Sequence, residues 1–315
     1  MKKLISIIVP VYNEEGNIPL VFSELSMVLK KLDYDHEIIF INDGSLDKTQ
    51  TILNAISQRD ATVKYLEFSK NFGKEAATSA GLHFAKGDAA IMIDADLQHP
   101  VVLIPDFIKK WEEGAEIVIG IRDKNKGEGI IKKIGSYLFY KIMNMIGETK
   151  ITPQATDFRL IDRKVIEEFN RLTERQRITR GLLDWMGFSK EYVYFNANSR
   201  NMGKTQYSFF KKFKLGISSF VAHSLIPLKL AGYLGILITF FSGILGLFIF
   251  IEKYILGDPW NMNFSGLAIL AVLILFLVGI ILICLGLVTL YIANIHREVI
   301  NRPLYVIKTK KNITS

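Results

Sequence analysis

Residues 230–251 and 264–295 contain no Asp, Glu, Lys, Arg or His. Each run exceeds the roughly 20 apolar residues that a helix needs to cross a bilayer. A short polar stretch joins them. The pattern predicts a membrane hairpin, with spans at about 229–251 and 266–292, rather than a pair of buried core helices. Half of the residues are hydrophobic and the mean hydropathy is +0.24, but that apolar excess gathers in the last third of the chain. The single cysteine, Cys284, lies in the second run, which excludes a disulfide framework and a cysteine-rich metal site.

Charge predicts the orientation of the hairpin. Lys204, Lys211, Lys212 and Lys214 precede the first run, and Arg297, Arg302, Lys308, Lys310 and Lys311 follow the second. The loop between holds only Glu252, Lys253 and Asp258 as charged residues. The bias of Lys and Arg toward the cytoplasm puts both termini inside. The chain is therefore expected to be a multi-pass protein of the cell (cytoplasmic) membrane. The net charge of +8 suits anionic lipid rather than nucleic acid, because much of the basic excess flanks the runs. Met1–Val11 is read as a buried strand, not a signal peptide. Its apolar run is short, holds Ser6, and leads into Pro10-Val11-Tyr12-Asn13-Glu14-Glu15 without a small-residue cleavage site.

The first 120 residues alternate between apolar strands and helices. Strands are expected at 4–9, 37–41, 63–68, 89–93 and 116–120, and helices at 17–31, 47–58, 74–86 and 101–113. This is the pattern of an α/β domain with a mostly parallel sheet. Ligands of such sheets bind beyond the carboxyl ends of the strands. Tyr12–Glu15, Asn42–Ser45 and Asp94–Gln98 fall there and are expected to converge. Residues 130–146 and 209–221 read as amphipathic helices, the latter suited to lie in the membrane interface. The expected organisation is a cytoplasmic domain over 1–207, an interfacial segment over 208–228, a hairpin over 229–295 and a polar, loosely ordered tail over 296–315.

Several polar residues sit where chemistry would need them. Asp94-Ala95-Asp96 closes a buried strand, and two carboxylates at that spacing can turn toward one divalent ion, with Gln98 as a further oxygen donor. Mg²⁺ or Mn²⁺ prefers such ligands and commonly bridges to phosphate. Asp43 closes another strand, where a carboxylate can accept from a base N–H or a ribose hydroxyl. Asp157, in Thr156-Asp157-Phe158-Arg159-Leu160, could act as a base or orient an acceptor; an N-cap or an Asp–Arg pair is the plainer alternative. Arg177 and Arg180 are spaced i, i+3 and could share a helix face toward phosphate. None of the five histidines has metal-ligand spacing.

Five ordered motifs then resemble a known family: Ile8-Val-Pro-Val-Tyr-Asn-Glu-Glu15, Asn42-Asp-Gly-Ser-Leu-Asp47, Asn71-Phe-Gly-Lys-Glu75, Asp94-Ala-Asp-Leu-Gln-His-Pro100 and Thr156-Asp-Phe-Arg-Leu160. Together with the C-terminal runs and Arg297–Tyr305 they resemble glycosyltransferase family 2. Within it they look like the polyprenyl-phosphate glycosyltransferases, the group of bactoprenol glucosyltransferase and dolichyl-phosphate mannose synthase. The resemblance implies a GT-A fold and an inverting transfer from a nucleotide-sugar donor to a polyprenyl phosphate. By similarity, Pro10, Tyr12, Glu14, Ile41 and Asp43 hold the nucleoside, and Asp94, Ala95, Arg122 and Arg180 also belong to the donor site. Asp94, Asp96 and Gln98 hold the metal and diphosphate, and Asp157 takes the place of the catalytic base beside Asp96. Arg177, Arg200 and Lys204 are candidates for the lipid phosphate. One departure is visible: relatives show Gly-x-Ser/Thr-Lys-Tyr, and this chain reads Gly203-Lys204-Thr205-Gln206-Tyr207, so the expected cation is Gln206.

A UDP-sugar (glucose or N-acetylhexosamine) and undecaprenyl phosphate are the expected substrates, with GDP-mannose the second donor. A processive polysaccharide synthase should show Gln-x-x-Arg-Trp, which is replaced here by Gln176-Arg-Ile-Thr-Arg-Gly181. A transferase for soluble glycans or proteins makes less use of a hairpin. A non-enzymatic membrane scaffold would need neither Asp94 nor Asp96. Gly243, Gly246, Gly279 and Gly286 would permit close helix packing, so a homo-oligomer is compatible with the sequence.

Overall fold

Leu-Ile-Ser-Ile-Ile-Val-Pro-Val is apolar along nearly its whole length because the strand it forms, β1 (Leu4–Val11), is covered on both faces. Ile5, Ile7 and Val9 pack into one core layer and Ile8 into the other. The structure is a computed structural model that describes residues 2–122, 154–175, 177–196, 251, 255 and 266–313. The chain divides into two units, Met1–Ser208 with Asn301–Ser315, and Phe209–Ile300.

In the first unit the expected alternation is present. After β1 come α1 (Ile18–Leu29), β2 (Asp35–Asn42), α2 (Thr49–Arg59), β3 (Val63–Phe68), α3 (Lys74–Phe84), β4 (Ala89–Met92), a 3-10 turn (Val101–Leu103) leading into α4 (Ile104–Glu112), and β5 (Ile117–Arg122). Helix α1 buries Ile18, Val21, Leu25 and Leu29, a stripe at helical spacing, and starts with a proline in its first turn. Helix α3 buries small residues instead. A Cβ on Gly81 would lie 2.2 Å from Ile8 Cγ2, so glycine is what lets α3 approach β1 so closely.

The eight strands lie in the order β7-β5-β6-β4-β1-β2-β3-β8. Strands β4, β1, β2 and β3 run parallel. The chain lays β2 and β3 on one side of β1, then crosses to lay β4 on the other. A crevice opens at such a switch point, beyond the carboxyl ends of β1 and β4.

Three strands were not legible in the sequence. β6 (Ala155–Asp162) runs antiparallel between β4 and β5, and β7 (Lys190–Phe195) pairs in parallel with β5. Helices α5 (Arg163–Arg171) and α6 (Thr179–Trp185) lie between them in sequence. Asp162 ends β6 and starts α5: one carboxylate oxygen accepts from Lys164 N at 2.8 Å, and the other from Trp111 Nε1 at 2.7 Å.

The third, β8 (Ile307–Lys311), corrects the expectation of a loose tail. It pairs antiparallel with β3 and closes that edge of the sheet. Tyr305 stacks on Phe68 with ring centroids 4.9 Å apart and planes 8° apart. Asn312 Nδ2 donates to Ser57 O and Val63 O, both at 2.9 Å. Lys308 and Lys310 had suggested solvent, but a lysine-bearing strand is also how a sheet edge resists pairing with another chain.

In the second unit, α7 (Gly266–Ile300) is one helix of 35 residues containing most of the second apolar run. Among the described residues no helix is long and apolar enough to cross a membrane. Many side chains of α7 lie outside that description. The segments 130–146 and 209–221 and the first run also lie outside the described residues.

Tyr305→Ala, which removes a stacked aromatic from the sheet edge, is expected to destabilise the first unit by about 1–3 kcal/mol. Thermal unfolding of the detergent-solubilised full chain reads this as a lowered midpoint; an unchanged midpoint would mean that the tail contributes nothing to the sheet.

Candidate active site

The crevice at the switch point is lined by Pro10 from β1, Met92 at the end of β4 with Ile93 and Asp94 just beyond it, Lys74, Glu75 and Thr78 from α3, Asp157 from β6, and Thr179 from α6. The position of Asp157 follows from strand register. Met92 of β4 faces Arg159 of the antiparallel β6. Two residues further, the same register puts Asp94 beside Asp157.

Two cations meet these carboxylates. Lys74 Nζ lies 2.5 Å from Asp94 Oδ1 and 2.7 Å from Asp157 Oδ2. Arg180 Nε pairs with the other oxygen of Asp157, and Arg180 Nη1 donates to Ala155 O at 3.1 Å. Burial alone would raise the Asp157 carboxyl, but the Arg180 hydrogen bond and the Lys74 and Arg180 charges outweigh it and hold the group well below the usual carboxylate range. Burial likewise pulls Lys74 down, and the charges of Asp94 and Asp157 more than offset it. Asp157 is therefore an anion at neutral pH and a poor proton acceptor.

The loop after β4 carries Asp94, Asp96 and Gln98. Asp96 Oδ1 accepts from Gln98 N at 3.2 Å. His99 Nδ1 accepts from Asp94 N at 3.3 Å. The His99 ring stacks on Phe158 at 5.4 Å and meets Phe195 edge-on at 5.9 Å. Burial holds its imidazole below its ordinary value. That keeps the ring neutral and Nδ1 free of a proton, as its accepting role requires. His99 has no ligand role on this geometry; it holds the loop that presents the two aspartates.

Oxygen donors Asp94 and Asp96 suit Mg²⁺ or Mn²⁺. Among the described residues no group of three or more His, Cys, Asp or Glu forms a metal cage. A phosphate-binding site needs none, since Mg²⁺ is usually held by one or two carboxylates together with substrate phosphates. The residues present thus fit such an ion.

The first two loops are laced together. Glu14 N donates to Thr49 Oγ1 at 3.0 Å, Asn13 N to Ser45 Oγ at 2.9 Å, and Leu46 N to Asn13 Oδ1 at 2.8 Å. Glu14 Oε2 accepts from Asn17 Nδ2 at 2.6 Å. Tyr12 is half-buried at the end of β1. Asp43 has a task of its own: its oxygens accept from Phe72 N at 2.7 Å and Gly73 N at 2.9 Å. Burial pushes its carboxyl up, against those donors. Gly44, at φ +68°, lies against this same loop, where a Cβ would be 2.4 Å from Lys70 C. Asp43 therefore fixes the start of α3, and with it Lys74.

The other expected residues divide. Ala95 is buried beneath the loop, and the Ile41 side chain lies fully in the core, so only its backbone is available to a nucleoside. Arg122 ends β5, and its buried Nε has no partner among the described residues. Arg177 and Arg180 do not share a helix face. Arg177 precedes α6, with Nε donating to Glu174 O at 3.2 Å and Nη2 to Leu172 O. It thereby braces the segment between α5 and α6 through the carbonyl at the C-cap of α5 and one just beyond it. Arg200 and Lys204 lie outside the described residues.

Lys74, Glu75 and His99 were missed as site-builders. Glu75 Oε2 accepts from Thr179 N at 2.8 Å and from Thr179 Oγ1 at 2.6 Å, tying α3 to the start of α6 and so to Arg180. The signal was present in Asn71-Phe-Gly-Lys-Glu75, a motif with two charges at a helix start. What the sequence lacked was the knowledge that this helix end faces β4 and β6.

Residues 6–169 match the family described as Glycosyl transferase family 2. An uncharacterised glycosyltransferase of Synechocystis sp. is 40% identical over 96% of this chain and 94% of its own length. A bactoprenol glucosyl transferase of Shigella phage SfII is 38% identical over 96% of this chain and 97% of its own. Among solved structures, glucosyl-3-phosphoglycerate synthase from Mycobacterium tuberculosis in complex with UDP is similar with a TM-score of 0.48 and 18% identity, covering 70% of this chain and 79% of that one.

The depressed Asp157 also predicts a pH effect. Its folded-state pKa lies below the unfolded value of about 3.9, so its stabilisation is present above that value and fades as pH falls. Asp157→Asn is expected to lower the thermal midpoint at pH 7, with the gap to the parent narrowing below about pH 4. A gap independent of pH would show that the ion pairs contribute nothing.

Proposed function

The chain belongs to glycosyl transferase family 2, and from that premise we propose that it is the glycosyltransferase that moves a hexose from a nucleotide-sugar onto a polyprenyl phosphate at the cytoplasmic membrane face. The observation that carries the acceptor is the near full-length relation to bactoprenol glucosyl transferases. A donor site alone would not specify a lipid. These relatives match over 96% and 98% of the chain, well past the family 2 region at 6–169. The match thus takes in the apolar third.

Helix α7 supports a membrane location. It exposes Leu270, Ile274, Ile281, Leu285 and Ile292, and its sequence up to residue 295 holds no Asp, Glu, Lys, Arg or His. At roughly 1.5 Å per residue, a helix of this length exceeds the hydrocarbon thickness of a bilayer. We place 229–251 and 266–292 across the membrane, with the catalytic unit and both termini in the cytoplasm. Both chain segments that leave the catalytic unit would then lead to the bilayer, where a lipid phosphate is met in two dimensions.

For the chemistry, Asp94 and Asp96 would hold Mg²⁺ or Mn²⁺, which when bound neutralises charge on the leaving diphosphate. The donor, UDP-glucose or a UDP-N-acetylhexosamine by preference, sits in the crevice between β1 and β4. The acceptor phosphate oxygen attacks the anomeric carbon and inverts it, and the bond to the nucleoside diphosphate breaks. A phosphate monoester is already largely ionised at neutral pH. Little proton transfer is required, and Asp157, an anion gripped by Lys74 and Arg180, is poorly suited to supply it. Its role is to orient those two cations toward phosphate. A GDP-mannose donor would use the same carboxylates and remains the second reading.

The decisive test uses membranes containing the protein, Mg²⁺, undecaprenyl phosphate and a panel of radiolabelled nucleotide sugars. Label from one donor should enter the lipid extract and be lost in Asp96→Asn. If nucleotide binds but no donor labels lipid, the lipid acceptor is wrong; if no nucleotide binds, transferase function fails altogether. Asp157→Asn should lose at least about 100-fold in kcat, the lower scale of a positioned group's contribution, and raising the pH should not restore it. Recovery at high pH would return Asp157 to the role of base.

A further inference from the structure

Lys74 bridges two carboxylates of the crevice, yet the proposed reaction needs Asp94 to hold a metal ion. Its Nζ is 2.5 Å from Asp94 Oδ1 and 2.7 Å from Asp157 Oδ2. Mg²⁺ sits at about 2.0–2.1 Å from its oxygen ligands. An ion bound to Asp94 at that distance would face the Lys74 ammonium across a single carboxylate. Two cations so close repel strongly in a partly buried site. The contact and the metal therefore compete for Asp94.

The surroundings show which part can move. Gly73 N is held by Asp43 Oδ2 at 2.9 Å, and Lys74 is the first residue of α3. Ala77 N donates to Gly73 O at 3.1 Å within the same first turn. The backbone of Lys74 is thus fixed. Its side chain is 39% exposed, and its stem is a flexible four-carbon chain. Asp157, by contrast, has a second grip through Arg180. Asp94 has its backbone held by His99.

Resting on the proposed transferase reading, we propose that Lys74 is an internal counter-ion for Asp94 that the divalent cation displaces as the nucleotide-sugar enters. In the free protein Lys74 joins Asp94 to Asp157 and makes metal binding weak. The negative charge of the donor diphosphate would compensate the repulsion between Lys74 and a cation held by Asp94. The ammonium lets go of Asp94, keeps Asp157, and turns toward phosphate. Lys74 is in this sense a positioning residue that ties metal occupancy to donor occupancy. It disfavours a metal held without substrate.

The test is Mn²⁺ binding to the full chain in detergent, read by the electron paramagnetic resonance signal of free Mn²⁺, with and without UDP. For the parent protein, UDP should tighten Mn²⁺ binding. Lys74→Met should bind Mn²⁺ without UDP roughly tenfold tighter than the parent, the scale of one close charge–charge interaction removed. The advantage from added UDP should shrink, and kcat should fall more than the donor KM changes. Lys74→Arg keeps the charge and should keep the weak nucleotide-free binding. Lys74→Gln, which retains a donor for both carboxylates, gives the same comparison if the methionine variant does not fold. Nucleotide-free Mn²⁺ binding that is no tighter in either neutral variant, with thermal midpoint and UDP binding unchanged, overturns the proposal. Absence of Mn²⁺ binding to the parent even with UDP overturns the metal reading and this inference with it. Loss of lipid labelling alone, with the Mn²⁺ result as expected, would overturn only the choice of acceptor.

Discussion

The insertion of β6, in reverse direction, between β4 and β5 is the constraint on which the site depends. A parallel strand at that place would deliver its carboxyl end to the crevice, and Asp162 rather than Asp157 would approach Asp94. The antiparallel register instead sets Arg159 opposite Met92 and brings the amino end of β6 to the edge where β1, β2 and β4 end. Thr156 Oγ1 helps to anchor that end by donating to Gly120 O at 2.8 Å. Arg163, just past β6, donates from Nε to Gly87 O at 2.8 Å and from Nη2 to Ala85 O at 2.9 Å, which holds the far end against the start of β4. The strand is clamped at both ends, so its register has little freedom to slip.

Once Asp94 and Asp157 face each other, their charge must be answered. Two carboxylates this close in a partly buried crevice would otherwise drive each other toward protonation. Lys74 and Arg180 answer them from opposite sides, one from the start of α3 and one from the start of α6. Each is held indirectly: Lys74 through Asp43 and Gly73, Arg180 through the bond from Thr179 to Glu75. Such an arrangement is costly if one member is removed, because it leaves a buried charge unpaired. It also makes a crevice ready for phosphate, where both signs of charge are in place before substrate arrives.

The parts of the fold that were legible are those that local pattern encodes. Residues 4–9 and 37–41 read as buried strands because both faces of β1 and β2 are covered, and α1 shows its buried stripe at Ile18, Val21, Leu25 and Leu29. The strand-end aspartates were legible for the same reason, since a carboxylate directly after a buried run has to lie at a sheet edge. Ala155–Asp162 was not, because Thr156, Asp157 and Arg159 interrupt its apolar residues, leaving neither a continuous buried run nor a strict alternation. Ile307–Lys311 was hidden by its lysines: a polar edge strand and a solvated tail have the same composition. The pairing of Arg177 with Arg180 misled because spacing implies a shared face only inside a helix, and α6 begins at Thr179.

By itself the sequence determined the α/β alternation, the acidic residues at the ends of β2 and β4, and the two uncharged runs at 230–251 and 264–295. These follow from periodicity and composition, which act over a few residues at a time. Tertiary structure alone decided that β6 runs backward, that Lys74 bridges Asp94 and Asp157, that His99 braces the loop carrying Asp94 and Asp96 and that β8 seals one edge of the sheet. These depend on which strands pair and in which direction, and hydrogen bonds between strands carry no local trace of their distant partner.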